Sequence, residues 1–167
     1  MTGATLTAGL DDAALRAAVA RVLKLMRDPA PLLRQIGAGI VDATHGRFAS
    51  GTDPDGKPWA PLQPAYAALK TNSQILVERH GLYDSIHFRV DGHRVLVGSA
   101  KVYAAIHQFG GTIKPKNAKA LVFMLGGRMV RAHSVFIPAR PYLGMGAADI
   151  EAVELATQMQ LAKVLRG

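Results

Sequence analysis

The segment from Tyr103 to Gly144 reads YAAIHQFGGTIKPKNAKALVFMLGGRMVRAHSVFIPARPYLG. Val102 to Phe109 is predicted to be a short helix, because the two glycines that follow it commonly end a helix. Leu121 to Leu125 and Arg128 to Val130 are predicted to pair as a β-hairpin, since the two glycines between them suit a tight turn. The segment therefore contributes a helix and an antiparallel hairpin to the fold.

Another β-hairpin is predicted upstream of this segment. Ile86, Phe88 and Val90 alternate with polar residues, which is the period of a half-buried strand. Asp91-Gly92 supplies a turn that reverses the chain. A last strand is expected from Ser134 to Pro138, downstream of both hairpins.

Two helices are expected near the N-terminus, before these strands. The first has an apolar face whose residues recur three and four positions apart: Leu15, Ala18, Val19, Val22, Leu23 and Met26. The second runs from near Pro31 to about Phe48, with an inward face of Leu33, Ile36, Ile40, Thr44 and Phe48. Gly37 and Gly39 each cost this helix about 1 kcal/mol relative to alanine, so they either allow close packing or weaken the helix, and packing is favoured.

The fold class follows from the order of these elements. A final helix is predicted over about 147–165, since its first turns are acidic and its last turn is basic, as suits the helix dipole. The sequence predicts a single α+β domain over residues 1–167, with an antiparallel β-sheet, two N-terminal helices, a short central helix, a C-terminal helix and extended loops. With 49% apolar and 19% charged residues, the composition is that of a globular protein.

The net charge of +8 lies in one part of the chain, because residues 92–148 contain eight Lys or Arg and neither Asp nor Glu. Ordinary surfaces mix the two signs, so this stretch favours a negatively charged partner, either nucleic acid or an acidic protein surface. A merely solvated surface is the simple alternative. We call residues 112–131 the basic arm; its cations are Lys114, Lys116, Lys119, Arg128 and Arg131. Contact with nucleic acid is expected to be electrostatic and independent of sequence, because no stacking aromatics or helix-turn-helix pattern accompany the lysines.

Several classes of function are disfavoured by what the sequence lacks. There is no cysteine, so disulfides, thiolate nucleophiles and cysteine metal sites are excluded. No apolar run approaches the roughly 20 residues of a membrane helix, and the N-terminus lacks the features of a secretory signal, so a soluble protein is expected.

No motif indicates an enzyme. The histidines show no metal-ligand spacing and are expected to have structural or surface roles: His45, His80, His87, His93, His107 and His133. Asp53 and Asp55 could be interpreted as a pair of catalytic carboxylates. The sequence DPDG, however, is typical of a turn in which the aspartate side chain hydrogen-bonds its own backbone. We therefore expect no catalytic residue, no bound metal and no cofactor.

Five short motifs carry a resemblance to a known family. They are GTDPDGKPWAPL at 51–62, GLYDSI at 81–86, VGS at 97–99, YAAIHQFGG at 103–111 and IPARPYLG at 137–144. In this order, over about residues 30–150, they resemble the phage virion morphogenesis family, the tail completion proteins of Mu-like and related tailed bacteriophages. The last two motifs are also similar to those of the broader head-to-tail joining proteins.

The resemblance implies a structural protein of the virion, made in the cytoplasm of the bacterial host. It implies a ring, a hexamer or a dodecamer, in the neck between head and tail. The implied partners are portal, adaptor or stopper proteins on the head side, tail tube or terminator proteins on the tail side, and packaged double-stranded DNA, with no membrane. A sequence-independent DNA-binding protein is the alternative function.

Three motif residues are candidates for a contact between subunits. Trp59 either anchors its proline-rich loop to the chain's own core or packs on a neighbour. Tyr142 either fills the core or lies at the contact, and Arg140 either forms a salt bridge with a neighbouring subunit or faces water. The sequence leaves these alternatives open.

Overall fold

The computed structural model describes residues 12–78 and 81–166. The predicted N-terminal start of the domain and His80 lie outside these residues. The helices are α1 Ala13–Arg27, α2 Ala30–Ser50, α3 Pro64–Ala67, α4 Ala104–Phe109 and α5 Ala147–Arg166, with a 3-10 turn at Tyr83–Ser85. The strands are β1 Ile86–Asp91, β2 Arg94–Ser99, β3 Gly111–Ile113, β4 Leu121–Leu125, β5 Arg128–Ala132 and β6 Val135–Ile137.

The predicted α+β class is confirmed. Every strand pair in the described residues is antiparallel, but the strands form three separate two-stranded sheets, β1–β2, β3–β6 and β4–β5. Both predicted hairpins are present, and in β1 Ile86, Phe88 and Val90 face inward as their alternation predicts. The β4–β5 hairpin is inserted between β3 and its partner β6, so that it projects as an excursion from that sheet.

Helix α2 is the central element of the packing, with α5 on one side and the β1–β2 hairpin on another. Its two glycines explain how these elements come so close. A Cβ at Gly37 would overlap the ring of Phe88, and a Cβ at Gly39 would lie 2.9 Å from the Cβ of Ala152. The prediction that the glycines allow close packing is therefore confirmed.

The core is aromatic and centres on Phe48 at the end of α2. Its ring lies 5.7 Å from those of Trp59 and Tyr83 and 5.3 Å from that of Tyr142, measured between centroids. Val77, Leu82, Ile86 and Ala104 complete the buried cluster. Because its aromatic members come from four distant parts of the chain, this core fixes the loops as well as the helices.

The predicted apolar face of α1 is wrong in part. Ala18 and Val22 are half-buried as predicted, but the other four residues are between 48% and 70% exposed: Leu15, Val19, Leu23 and Met26. Helix α1 lies against α5 along a single edge, where Arg21 donates hydrogen bonds to the carbonyls of Val164 and Leu165 at 2.6 and 3.2 Å. These carbonyls lie in the last turn of α5, where they have no partner within the helix. A charged residue thus occupies part of the contact, and the apolar stripe stays largely uncovered.

Candidate functional site

Three of the five sequence motifs, together with α2 and α5, contribute to one set of polar and aromatic side chains, which we call the motif cluster. Its members are Arg47, Trp59, Gln108, Arg140, Tyr142 and Asp149, and five of the six are buried. They come from α2, the loop before α3, α4, the segment after β6, and α5. The cluster therefore joins parts of the chain that are up to a hundred residues apart.

Tyr142 lies at the centre of the motif cluster and is 1% exposed. Its hydroxyl donates to the carbonyl oxygen of Ala104 at 3.2 Å, and its own carbonyl accepts from Arg47 at 2.9 Å. Burial raises the pKa of the Tyr142 phenol, so the side chain stays a neutral donor. The ring fills the core while its polar end holds the start of α4.

Gln108 binds the backbone around Tyr142 as a neighbouring strand would. Its Oε1 accepts from the N–H groups of Tyr142 and Leu143 at 3.0 and 2.9 Å, and its Nε2 donates to the Leu143 carbonyl at 2.8 Å. We did not predict this role. The available signal was a polar amide on a short, mostly apolar helix, because its donors and acceptors require partners once the helix packs.

Trp59 and Arg140 interlock two loops by reciprocal bonds. The Trp59 indole donates to the Pro141 carbonyl at 2.8 Å. In the other direction, the Arg140 guanidinium donates to the carbonyls of Ala60 and Pro61 at 2.8 and 2.9 Å. Burial lowers the pKa of Arg140, which nevertheless stays positively charged. Each side chain thus satisfies backbone groups in the segment that carries the other.

Arg47 and Asp149 form a buried ion pair beneath these loops. Asp149 is wholly buried in the first turn of α5, where a carboxylate also suits the helix dipole. It accepts a second hydrogen bond from the Gly146 N–H at 2.8 Å. A Cβ at Gly146 would overlap the carbonyl oxygen of Pro54, so only glycine lets the DPDG loop lie against the start of α5.

The three predicted subunit-contact residues, Trp59, Arg140 and Tyr142, are all buried within one chain. The geometry supports the internal alternative for Trp59 and Tyr142. Arg140 adopts a third arrangement that we did not predict, in which it caps carbonyls of the chain's own loop. A neighbouring subunit would meet these residues indirectly, through the loops that they hold, and their part in a subunit contact stays a prediction.

The basic arm lies apart from the motif cluster and is open to solvent. Its five cations are all exposed: Lys114, Lys116, Lys119, Arg128 and Arg131. The first three lie after β3, on the connection to β4, whereas the two arginines lie on β5 beside exposed apolar residues. The structure therefore divides the arm into a lysine-bearing connection and an amphipathic hairpin.

The described residues contain no cluster of metal-binding side chains. In residues 12–78 and 81–166, no three His, Asp or Glu side chains lie close enough to hold a metal ion. Asp53 forms the predicted turn, since its Oδ1 accepts from the N–H groups of Asp55 and Lys57 at 2.9 Å each. Burial, together with nearby Arg140, lowers the pKa of His107, whose Nδ1 is buried without a partner. The lowered pKa favours the neutral form of this partly buried imidazole.

Comparison with known proteins gives the class of this protein. The model of the phage virion morphogenesis family matches residues 10–162, so the chain belongs to that family. The predicted resemblance is thereby confirmed, and the protein is a phage structural or assembly protein.

Two relatives illustrate the match. The chain is 28% identical over 141 residues to "Putative capsid assembly protein G" of Escherichia phage Mu, covering 80% of this chain and 80% of that protein. It is 29% identical over 136 residues to "Mu-like prophage FluMu G protein 2" of Haemophilus influenzae, covering 81% and 80%. No solved structure gives a significant match. In the part of the chain that the structure describes, no helix is long and apolar enough to cross a membrane.

Proposed function

We propose that this protein forms a ring in the neck of a tailed bacteriophage, where it completes the tail and joins it to the head. Family membership supports a role in virion morphogenesis. The observation that supports the ring is a contrast between the inside and the outside of the chain: the interior is held by hydrogen bonds, whereas apolar residues on the surface are exposed. The motif cluster fixes every loop it touches, while apolar residues are exposed on α1, on α5 and on the β4–β5 hairpin.

Exposed apolar surface of this extent is typical of a subunit outside its assembly. The three surfaces differ in sequence and shape, so they suit a heterologous contact, in which one surface of each copy meets a different surface of the next. Such contacts close into rings when the rotation between copies permits. We propose a hexamer or dodecamer, with portal, adaptor or stopper proteins on the head side and tail tube or terminator proteins on the tail side.

The alternative function is a sequence-independent DNA-binding protein that acts outside the virion. The exposed lysines of the basic arm favour contact with phosphate in either setting. A monomeric DNA-binding protein, however, leaves the exposed apolar residues unexplained. An enzyme is less well supported, since the described residues hold no group of three His, Asp or Glu side chains that could bind a metal ion near the basic arm.

Loss of the gene tests the joining role. A phage unable to make this protein is expected to accumulate heads and tails that are not joined, and supplying the wild-type chain from a plasmid should restore complete particles. Electron microscopy of the lysate distinguishes the two populations. Complete particles formed without the protein would contradict the proposal, as would heads that fail to form at all.

A further inference from the structure

The β4–β5 hairpin presents an outer face that one copy of the chain leaves uncovered. On this face Val122 pairs with Arg131 across the strands, and Met124 pairs with Met129. The three apolar residues are each more than half exposed. A two-stranded hairpin is only marginally stable alone, and the three apolar residues on its open side favour burial against another surface.

Helix α5 presents a surface of matching character. Glu151, Leu155 and Met159 follow one another at four-residue intervals, so they form one stripe along the helix. Leu155 and Met159 are more than half exposed, and Glu151 is exposed as well. Glu154 lies beside the stripe, and among the described residues neither glutamate belongs to an ion pair. The stripe thus has an acidic end and an apolar end.

The two surfaces also match in spacing. Arg131 and Met129 are two residues apart on a strand, which is about 7 Å. Glu151 and Leu155 are four residues apart on a helix, which is about 6 Å. When Met129 lies over Leu155, Arg131 therefore reaches Glu151. Methionine side chains are flexible enough for Met124 to fill the remaining space beside Met159.

We infer that the outer face of the β4–β5 hairpin of one copy docks on the Glu151–Met159 stripe of the next copy, and that this contact builds the ring. The inference rests on the proposed ring. Within one copy the two surfaces do not cover each other, because both are exposed. Since the hairpin and the helix are different surfaces, a docked pair still offers one free hairpin and one free α5 stripe, so the contact continues from copy to copy.

A second copy is favoured over DNA as the occupant of the hairpin face. DNA phosphates interact favourably with lysine and arginine but not with the apolar side chains of Val122, Met124 and Met129. The α5 stripe, in contrast, complements both the charge and the apolar residues of the hairpin face. The lysine-bearing connection before β4, which has no apolar face of this kind, remains free for DNA. The two parts of the basic arm thus have separate partners.

Disulfide trapping between two single-cysteine variants tests the contact, because the chain has no cysteine of its own. Met129→Cys, carrying a size tag, is mixed with untagged Leu155→Cys under mild oxidation at high protein concentration. A specific contact raises the effective concentration of the two sulfurs, so the tagged–untagged dimer should exceed either homodimer by at least about tenfold. Met26→Cys is the matched control, since it replaces Leu155→Cys with an apolar site on α1 that is at least as exposed, 70% against 55%.

Charge reversal provides a second test, which distinguishes a specific contact from disulfides formed by random collision. Arg131→Glu in the tagged chain should reduce the mixed dimer to the level of the control, and Glu151→Arg in the untagged partner should restore it. Equal yields from Leu155→Cys and Met26→Cys, or a predominance of Met129→Cys homodimers, would overturn the inference. So would protection of Met129→Cys from a thiol reagent by duplex DNA when no mixed dimer forms.

Failure of the hairpin contact can be distinguished from failure of the proposed neck function. Particles whose necks contain the chain but give no mixed dimer would refute the hairpin contact alone. A strong mixed dimer from a chain that is absent from the neck would refute the neck assignment and leave the contact standing.

Discussion

Replacing Asp149 by alanine is expected to lower the free energy of unfolding by about 3–5 kcal/mol, the usual cost of removing one partner from a buried ion pair. The substitution leaves the Arg47 guanidinium buried and without its carboxylate. It also removes the acceptor of the Gly146 N–H, which positions the start of α5 against the DPDG loop. The loss of stability therefore has two sources, the broken ion pair and the lost hydrogen bond that positions α5.

Urea unfolding followed by the fluorescence of the single tryptophan, Trp59, measures this change. Asp12→Ala is the matched control, because it breaks the exposed Arg16–Asp12 pair, which contributes only about 0.5 kcal/mol. The double variant Arg47→Met with Asp149→Leu should recover much of the lost stability, since apolar residues commonly replace a buried pair at little cost. A loss no larger for Asp149→Ala than for Asp12→Ala would contradict the structural role of the pair.

Reversing the three lysines of the basic arm, Lys114, Lys116 and Lys119, to glutamate is expected to impair DNA retention while rings still form. Each phosphate contact contributes about 0.9 to the dependence of log affinity on log salt, so losing three should reduce that slope by about 2–3. Ring formation should persist, because these lysines lie outside the hairpin face proposed to bind the next copy. Duplex DNA binding at several salt concentrations and the DNA content of particles are the two measurements.

The control for this variant reverses three other exposed cations, Lys24, Lys163 and Arg166, to glutamate. Each reversal removes two units of charge, so both triple variants change the net charge from +8 to +2. Only reversal in the arm should reduce DNA retention, whereas a general effect of charge would appear in both variants. Particles that keep their DNA but fail to dock on the neighbouring ring would show instead that the lysines face an acidic protein surface.

Local sequence patterns were sufficient to predict most elements of this fold, although strand β3 was not predicted. The alternation at Ile86, Phe88 and Val90, with the turn at Asp91-Gly92, located the β1–β2 hairpin. The paired glycines after Phe109 located the end of α4, where Gly110 has a φ of +68° and a Cβ would lie 2.6 Å from the Ala139 amide nitrogen. These features depend on neighbouring residues alone, so a single sequence reveals them.

The motif cluster could not be predicted, because its bonds join distant segments. Arg140 binds carbonyls some 80 residues away, and no periodicity records which backbone groups a side chain will meet. The exposure of Leu15 and Met26 was missed for a different reason. An apolar stripe shows that a helix face prefers burial, but it does not show whether the covering surface belongs to the same chain.

Locating this chain in the virion is the measurement that tests the proposed neck function most directly. Complete particles assembled with a chain tagged for gold labelling, and imaged by negative-stain electron microscopy, should carry label as a band at the junction of head and tail. Label over the capsid shell or along the tail, or complete particles without any label, would contradict the assignment to the neck.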